Sequence, residues 1–268
     1  AEVSVGRFPT TRSALFLGQW LISRVGKEVS PRSTFARFKF FTEHETEHSM
    51  SDLLELITAQ AAMYQQLTER SSDTHADLNR LELHVYRMSV AQVEITKPVV
   101  LWLTEPGNMY EPATIAAVID AVESWIVRRR LLRLQNGDLG RVAAELIFTA
   151  RGASDGEVVE RVQNHLTRQQ STSTYWPGDE EVAETLRSVP FYRRFPQPMQ
   201  RMLLQGIEDW YRGYTQHGPS KTGVRVHRDK NQVEHLLPRT WQPHWPVAGA
   251  AAEADRDEHV NRLGNLTL

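Results

Sequence analysis

Apolar residues recur three to four positions apart along most of the chain, which predicts helices rather than strands. The first such run follows Thr10 or Thr11, either of which can cap a helix, and Gly26 is a plausible stop. Ser30 and Pro31 predict the cap and first residue of a shorter helix. We expect that helix to bury its three phenylalanines, Phe35, Phe38 and Phe41.

The same spacing continues to about residue 210. A third helix is predicted to start at Ser51, with an inner face formed by Leu53, Leu54, Ile57, Ala61, Tyr64 and Leu67. Glu111 and Pro112 open the clearest helix of the chain, and a capping box at residues 154–157 opens a later one. The pattern predicts one mainly helical domain with three largely buried tryptophans, Trp20, Trp125 and Trp210.

The last part of the chain has a different pattern. Residues 232–238 form a short apolar run that Pro238 stops, and residues 259–268 form a second one that is entered through Gly264. The two runs predict a hairpin that holds a carboxylate, an imidazole and an amide near its turn. These groups are the parts that metal-assisted hydrolysis needs.

Composition limits the choices of class and partner. With 268 residues, the chain is long enough for one large or two small domains, and we place a boundary in the polar stretch 213–223, giving domains 1–215 and 216–268. A net charge of -2 means that any nucleic acid must be held by local patches. There is no cysteine, and no apolar run approaches the roughly 18 residues of a membrane span. We therefore expect a protein of the cytoplasm, and a chain that starts without Met and stops inside an apolar strand is expected to be a fragment.

Two arginine clusters are candidates for contact with DNA phosphates. Arg128, Arg129 and Arg130 lie in a stretch without acidic residues, and the alternative is that they stabilise the end of a helix through its dipole. Arg193 and Arg194 lie in a second acid-free stretch, for which a solvated helix face is the alternative.

Residues 44–48 match the His-Glu-x-x-His pattern of zinc proteases. That chemistry requires His44 and His48 on one face of a helix that is anchored by apolar residues. Only acidic and polar residues surround the motif, so the sequence favours a solvated acidic loop.

Glu-His-Leu-Leu-Pro at residues 234–238, paired with Leu-Gly-Asn-Leu-Thr-Leu at 263–268, resembles the HNH (ββα-metal) nuclease signature of the C-terminal domain of GmrSD-type, modification-dependent (type IV) restriction enzymes. The run that begins at Trp176 and the helix around Glu208 are similar to the helical region that precedes this signature. The resemblance implies a mainly α fold, in which a multi-helix domain is followed by a small ββα-metal hairpin module. Since the family pattern continues into a further ligand-bearing helix, we expect this module to be incomplete.

The resemblance also implies roles for individual residues. His235 would be the general base that activates water, Glu234 a ligand of a divalent metal (Mg²⁺ or Mn²⁺), and Asn265 a strut across the loop that orients the histidine. Asn261 and His259 are weaker, supporting matches. One physical objection remains: successive side chains of a strand point to opposite faces, so Glu234 and His235 share a metal only if the strand twists or ends there.

The function implied is that of a metal-dependent DNA endonuclease, nicking or cutting double-stranded DNA that is modified or of phage origin, in phage defence. The resemblance also implies an N-terminal sensor domain that hydrolyses a nucleotide, but this sequence has no phosphate-binding loop. No membrane partner is expected. The alternative is a non-catalytic DNA-binding or interaction module that keeps the hairpin as a scaffold.

Overall fold

The computed structural model describes residues 2–5, 8–108, 110–213, 225–229 and 231–268. Helices dominate these residues, and the prediction of a mainly α fold with a small C-terminal hairpin is confirmed. The helices are α1 Arg12–Val25, α2 Thr34–His44, α3 Met50–Ser72, α4 Arg80–Ala91, α5 Lys97–Leu103, α6 Pro112–Leu132, α7 Leu139–Ala150, α8 Asp155–Thr167, α9 Asp179–Ser188, α10 Phe191–Arg194, α11 Gln197–Tyr211 and α12 Ala250–His259.

Within the described ranges, four short strands form two antiparallel pairs. They are β1 Glu2–Val5 with β2 Phe8–Thr11, and β3 Glu234–His235 with β4 Leu266–Thr267. The first pair was not predicted from the sequence. Two 3₁₀ turns, Pro31–Ser33 and Leu263–Asn265, precede α2 and β4.

Several helix starts were read correctly from capping residues, but Ser30 and Pro31 open only the 3₁₀ turn, and α2 itself begins at Thr34. Thr11 accepts a hydrogen bond from the Ala14 N–H at the start of α1, and Gly26 follows its end in the left-handed conformation. The predicted start at Ser51 was wrong, because Ser49 caps α3 instead. The Ser49 hydroxyl accepts from the Asp52 N–H while the Asp52 carboxylate accepts from the Ser49 N–H, which satisfies two donors reciprocally.

The centre of the helical layer is α6, which packs against α4, α8 and α9. Trp125 on α6 is fully buried, and its indole N–H donates to the Thr174 carbonyl oxygen over 2.8 Å. Beside it, buried Glu123 pairs with Arg80 (3.0 Å) and Arg87 (2.5 Å) and contacts His84 Nδ1 (3.0 Å). The centre of the core therefore combines close apolar packing with a polar network around buried Glu123.

A second cluster joins α1, α2, α3 and α5. Trp20 is fully buried, packs edge to face on Phe41, and donates its indole N–H to Gln60 Oε1 (2.9 Å). The expectation that Phe35 is buried was wrong, since it is 79% exposed. Leu54 is also exposed, because the inner face of α3 runs through Leu53 and Ile57 instead.

The third cluster connects α10 and α11 to the C-terminal hairpin. Phe191, Phe195, Met199 and Met202 pack here with Leu266 of β4. Trp210 was expected in this core but is 66% exposed. The buried positions of α11 end at Gln205, so the last turn of the helix extends beyond the packed region.

Residues 225–229, which we call the strap, lie against the α3–α4 turn. Arg228 donates to the carbonyl oxygens of Ser71 (2.9 Å), Asp73 and Ala76 (2.9 Å). Arg225 donates to the Leu78 carbonyl oxygen over 2.9 Å. The strap thus bonds the chain that leads into the hairpin to the helical layer.

The predicted division between domains 1–215 and 216–268 lies outside the described residues. Among the helices that the structure describes, none combines the length and apolar character that crossing a membrane requires.

Candidate functional site

The hairpin consists of two residue pairs, Glu234 with Thr267 and His235 with Leu266. Leu266 is buried in the third cluster, so β4 is fixed on α10 and α11. Pro238 follows soon after β3 and cannot donate a backbone hydrogen bond, which is consistent with the early end of the strand. The sequence therefore places His235 on a very short strand that is anchored by its partner rather than by its own length.

Asn265 bridges the two sides of the hairpin. Its Oδ1 accepts from the Leu237 N–H (2.8 Å), and its Nδ2 donates to the carbonyl oxygens of Leu237 (3.0 Å) and Val260 (2.8 Å). Its own carbonyl oxygen accepts from the Leu236 N–H (2.9 Å). The amide thereby joins three segments of backbone, which is the geometry expected of a strut and more than a turn asparagine requires.

His235 lies between this strut and α10. Its ring packs edge to face on Tyr192, with 4.4 Å between the ring centroids. Its Nε2 and the Asn261 Oδ1 are both buried, and neither has a partner at good hydrogen-bond geometry among the described residues, although the Asn261 amide lies close enough to raise the pKa of His235. Burial and the nearby Arg239 guanidinium lower the pKa of His235, against the opposite influence of Asn261 and Glu234. The imidazole is therefore held in its neutral form near pH 7, as a proton acceptor must be.

Glu234 does not share the environment of His235. Its side chain is exposed, whereas His235 is half-buried on the next position of the strand. The alternation of strand side chains thus applies here despite the early end of β3. Throughout the described ranges, no group of three His, Cys, Asp or Glu residues is placed to hold a metal ion. A metal at this hairpin would therefore need a ligand in addition to those that the described residues supply.

The two supporting residues are placed differently. His259 lies in the last turn of α12, where its Nδ1 contacts the Asp255 carbonyl oxygen (2.6 Å) and its Nε2 contacts Arg262 Nη1 (2.6 Å). Both of its ring nitrogens are therefore engaged within the helix end. Asn261 is buried, and its carbonyl oxygen accepts from the Tyr192 N–H over 2.9 Å. Asn261 thus connects the hairpin to α10 beside the histidine.

The first arginine cluster is tied into the fold. Arg129 is fully buried, and its guanidinium donates to the carbonyl oxygens of Tyr175 (2.8 Å), Gln135 (2.6 Å) and Thr172 (3.2 Å). Arg128 donates to the Pro177 carbonyl oxygen and pairs with Asp179 (2.5 Å). Arg130 is half-buried. This placement favours the structural alternative for Arg128 and Arg129, whose terminal guanidinium nitrogens already bond to protein acceptors.

The second cluster is nearer the hairpin. Arg193 is exposed on α10 and follows directly after Tyr192, which touches the His235 ring. No carboxylate within the described ranges pairs with Arg193 or Arg194. Arg239, which the sequence did not single out, is exposed one residue after Pro238 and lies close enough to affect the pKa of His235. The sequence could have indicated Arg239, because it directly follows the Glu-His-Leu-Leu-Pro motif.

The His-Glu-x-x-His motif does not lie on one helix. His44 is the last residue of α2, Glu45 follows its end, and His48 precedes the cap of α3. Glu45 pairs with Arg37 over 2.5 Å. The structure therefore matches the expectation of a polar connection.

Residues 176–268, about a third of the chain, match the family model described as "GmrSD restriction endonucleases, C-terminal domain". The recognition of this segment as a GmrSD-type C-terminal domain is confirmed. The match begins before α9 and so includes α9, α10 and α11 with the hairpin, in agreement with the packing of Leu266 on α10 and α11. Neither a curated protein nor a solved structure matches the chain.

Proposed function

We propose that this protein, whose residues 176–268 form a GmrSD-type C-terminal domain, is a metal-dependent DNA endonuclease in which His235 is the general base. The observation that carries the proposal is the geometry of the predicted motif, in which the Asn265 amide bridges the loop beside the half-buried His235 imidazole. A base with a lowered pKa accepts a proton from water near pH 7 without first losing one of its own.

The residues around the imidazole support a site for the attacking water. His235 Nε2 and Asn261 Oδ1 are both buried without a partner at good hydrogen-bond geometry among the described residues, and a water molecule can satisfy two such groups. In the proposed step, His235 takes a proton from this water as its oxygen attacks the phosphorus. The bond from phosphorus to the leaving sugar oxygen breaks, and that oxygen takes a proton from solvent. Tyr192 and Asn265 keep the ring and the loop in place during the step.

Phosphate contacts are proposed for the exposed arginines next to the hairpin. Arg193 and Arg239 offer guanidinium groups that no described carboxylate neutralises, and a guanidinium matches the geometry of a phosphate. Arg194 is the next residue of α10 and is half-buried, and we propose that its terminal guanidinium nitrogens contribute to the same contacts. Because the chain has a net charge of -2, this local surface rather than a global field would hold the DNA.

A divalent ion, Mg²⁺ or Mn²⁺, is the proposed cofactor, and Glu234 is its candidate ligand. Such an ion would neutralise charge on the phosphate and on the leaving oxygen. The described residues fit it incompletely, because Glu234 is exposed away from His235 and no third ligand is near. We therefore assign no step to the metal.

The wider setting follows from the family. We propose that the substrate is double-stranded DNA of phage or modified origin, nicked or cut in the cytoplasm, and that a nucleotide-hydrolysing sensor domain directs the cleavage. A second candidate is a non-catalytic module that binds DNA and keeps the hairpin as a scaffold. The absence of a three-residue metal group within the described ranges favours that alternative.

Plasmid nicking by the full-length protein in Mg²⁺ or Mn²⁺ separates the two. The His235→Ala variant is expected to lose about 10²- to 10⁴-fold in rate, because that is the typical contribution of a general base. DNA binding and the melting temperature should change little, since a half-buried side chain on a two-residue strand adds little to the core.

His244→Ala is the matched control, because it removes an exposed histidine from the same module. A His235→Ala protein that nicks at the parental rate would falsify the nuclease assignment of this hairpin. If the unsubstituted protein binds DNA but never nicks it with either metal, the scaffold function is supported instead.

A further inference from the structure

A cavity of about 210 Å³ lies in the helical layer, away from the hairpin. It is bordered by α1, the 3₁₀ turn before α2, the starts of α2 and α7, and the segment that leads into α5, and it opens to solvent on one side. Its wall is mainly apolar and includes Leu15, Ile22, Val29, Ile95 and Pro98. An apolar cavity of roughly 150 Å³ is large enough to hold benzene, so this space can admit one ring with a short arm.

A single buried amide interrupts the apolar wall. Gln19 is 7% exposed, and its Nε2 donates to Glu94 Oε2 over 3.4 Å. Its Oε1 is buried and has no hydrogen-bond partner within the described ranges. The opposite orientation of the amide would face the Glu94 carboxylate with a carbonyl oxygen, so the carboxylate fixes Oε1 as the unpaired atom.

An unpaired, buried oxygen has lost its hydration without compensation, and such groups in native proteins need an explanation. A ligand that donates a hydrogen bond to Gln19 Oε1 would supply the missing partner.

The charged groups at the cavity indicate which donor suits it. Glu28 and Glu94 both line the cavity and have exposed side chains. Lys97 pairs with Glu94 over 3.2 Å, and Arg141, which also interacts with Glu28, pairs with Glu145 over 2.8 Å. The three carboxylates therefore face two cations, which leaves one excess negative charge beside the cavity. A cationic donor is therefore favoured over a neutral one, since it gains from this charge as well as from the amide oxygen.

We propose that this cavity binds a small apolar molecule that carries a primary ammonium group. The ammonium donates to Gln19 Oε1 and lies near Glu28 and Glu94, while the apolar body fills the space beside Ile22 and Val29. Gly18 also lines the cavity, and a Cβ there would lie 3.2 Å from Thr34 Oγ1. This inference is independent of the nuclease proposal.

Calorimetric titration with benzylamine and with toluene tests the proposal. Benzylamine is expected to bind with saturation and at least about tenfold more tightly than toluene, a difference of about 1.4 kcal/mol. The Gln19→Met variant keeps the length of the side chain but lacks the acceptor, so it should lose most of this preference. Gln163→Met, at an exposed position of α8, is the matched control and should bind like the unsubstituted protein.

A variant that fills the cavity with a larger side chain provides a second, independent test. Ala14→Leu extends a side chain from α1 into the cavity and should abolish the binding of both probes while the protein stays folded. Equal affinity for benzylamine and toluene, or unchanged benzylamine affinity in Gln19→Met, overturns the assignment of the amide. Absence of saturable benzylamine binding, with only a water bonded to Gln19 in a crystal soaked with the probe, overturns the site itself.

Discussion

The helical layer around α6 and the C-terminal hairpin are stabilised in different ways. Around α6, apolar side chains of neighbouring helices pack against one another, and Trp125 is fully buried. The hairpin has two residue pairs and one buried strand residue, Leu266, while Asn265 supplies three side-chain hydrogen bonds. The first region is stabilised mainly by buried apolar area, with the Glu123 network beside it, and the second mainly by a few polar contacts. Substitutions should therefore damage stability in the first and geometry in the second.

The largest effect on stability is expected from Trp125→Ala. Removing this fully buried side chain leaves a cavity and an unpaired Thr174 carbonyl, and truncations of this kind cost about 3–5 kcal/mol. Trp210→Ala is the matched control, since Trp210 is largely exposed and its loss should stay within about 0.5 kcal/mol. Urea denaturation measures both, and equal losses would contradict the placement of Trp210.

A matched pair of arginines sharpens the comparison further. Arg129→Met should destabilise the protein by about 3 kcal/mol, because three carbonyl oxygens lose a charged donor. Arg193→Met should leave stability nearly unchanged but weaken DNA binding and reduce the slope of log K against log salt by about 1. Denaturation and DNA titration at several salt concentrations test both arms. If Arg193→Met leaves the slope as it was, the proposed phosphate contact is absent.

Asn265→Ala should affect both properties at once. The loss of its three side-chain hydrogen bonds is expected to cost about 1–3 kcal/mol and to lower the nicking rate through a displaced His235 loop. Asn164→Ala, on the exposed side of α8, is the control that should change neither. Melting curves and nicking rates would be compared, and a slow variant with unchanged stability would limit Asn265 to a role in orientation.

The smallest effect is a pH dependence that arises in the helical layer. Burial lowers the pKa of His84, although its contact with Glu123 opposes the shift. The unfolded state then binds a proton at a higher pH than the folded state does. Stability from this source is complete above the unfolded value of about 6.5 and falls by up to about 1.4 kcal/mol for each pH unit below it.

His165 and His235 have lowered pKa values as well and contribute with the same sign. The contribution of His84 to the pH dependence of stability must therefore be separated from theirs with a variant that lacks this histidine. The free energy of unfolding of His84→Gln, measured between about pH 7.5 and 5.5, should fall less steeply than that of the unsubstituted protein. His244→Gln serves as the exposed control, and an unchanged slope in His84→Gln would contradict the lowered pKa.

Local signals in the sequence predicted much of the helical layer. The Ser154 and Glu157 box starts α8 as expected, and Gly26 follows the end of α1. Such caps act within one turn, so they can be read without knowledge of the rest of the chain. Phe35 and Trp210 were predicted to be buried because they have the helical spacing of core residues. Both are exposed in the structure. Spacing alone does not reveal where a partner helix stops.

Only part of the candidate site could be predicted, because local sequence patterns do not encode contacts between distant residues. The bridging bonds of Asn265 followed from the motif, and the opposite environments of Glu234 and His235 followed from strand alternation. The contact of Tyr192 with His235 joins α10 to the hairpin over more than forty residues, and no local pattern encodes it. The burial of Arg129 likewise depends on carbonyl groups in a loop far along the chain.

The strap has a consequence for the order of folding during synthesis. The carbonyl oxygens of Ser71 and Ala76 leave the ribosome about 150 residues before Arg228, which bonds them in the finished protein. Until then, water must solvate the α3–α4 turn, and the chain leading to the hairpin has no attachment there. We expect the C-terminal hairpin to dock last, as a late unit that opens before the helical layer does. Hydrogen exchange should show the amides of residues 234–237 exchanging faster than those of α6, and Arg228→Ala should widen that difference.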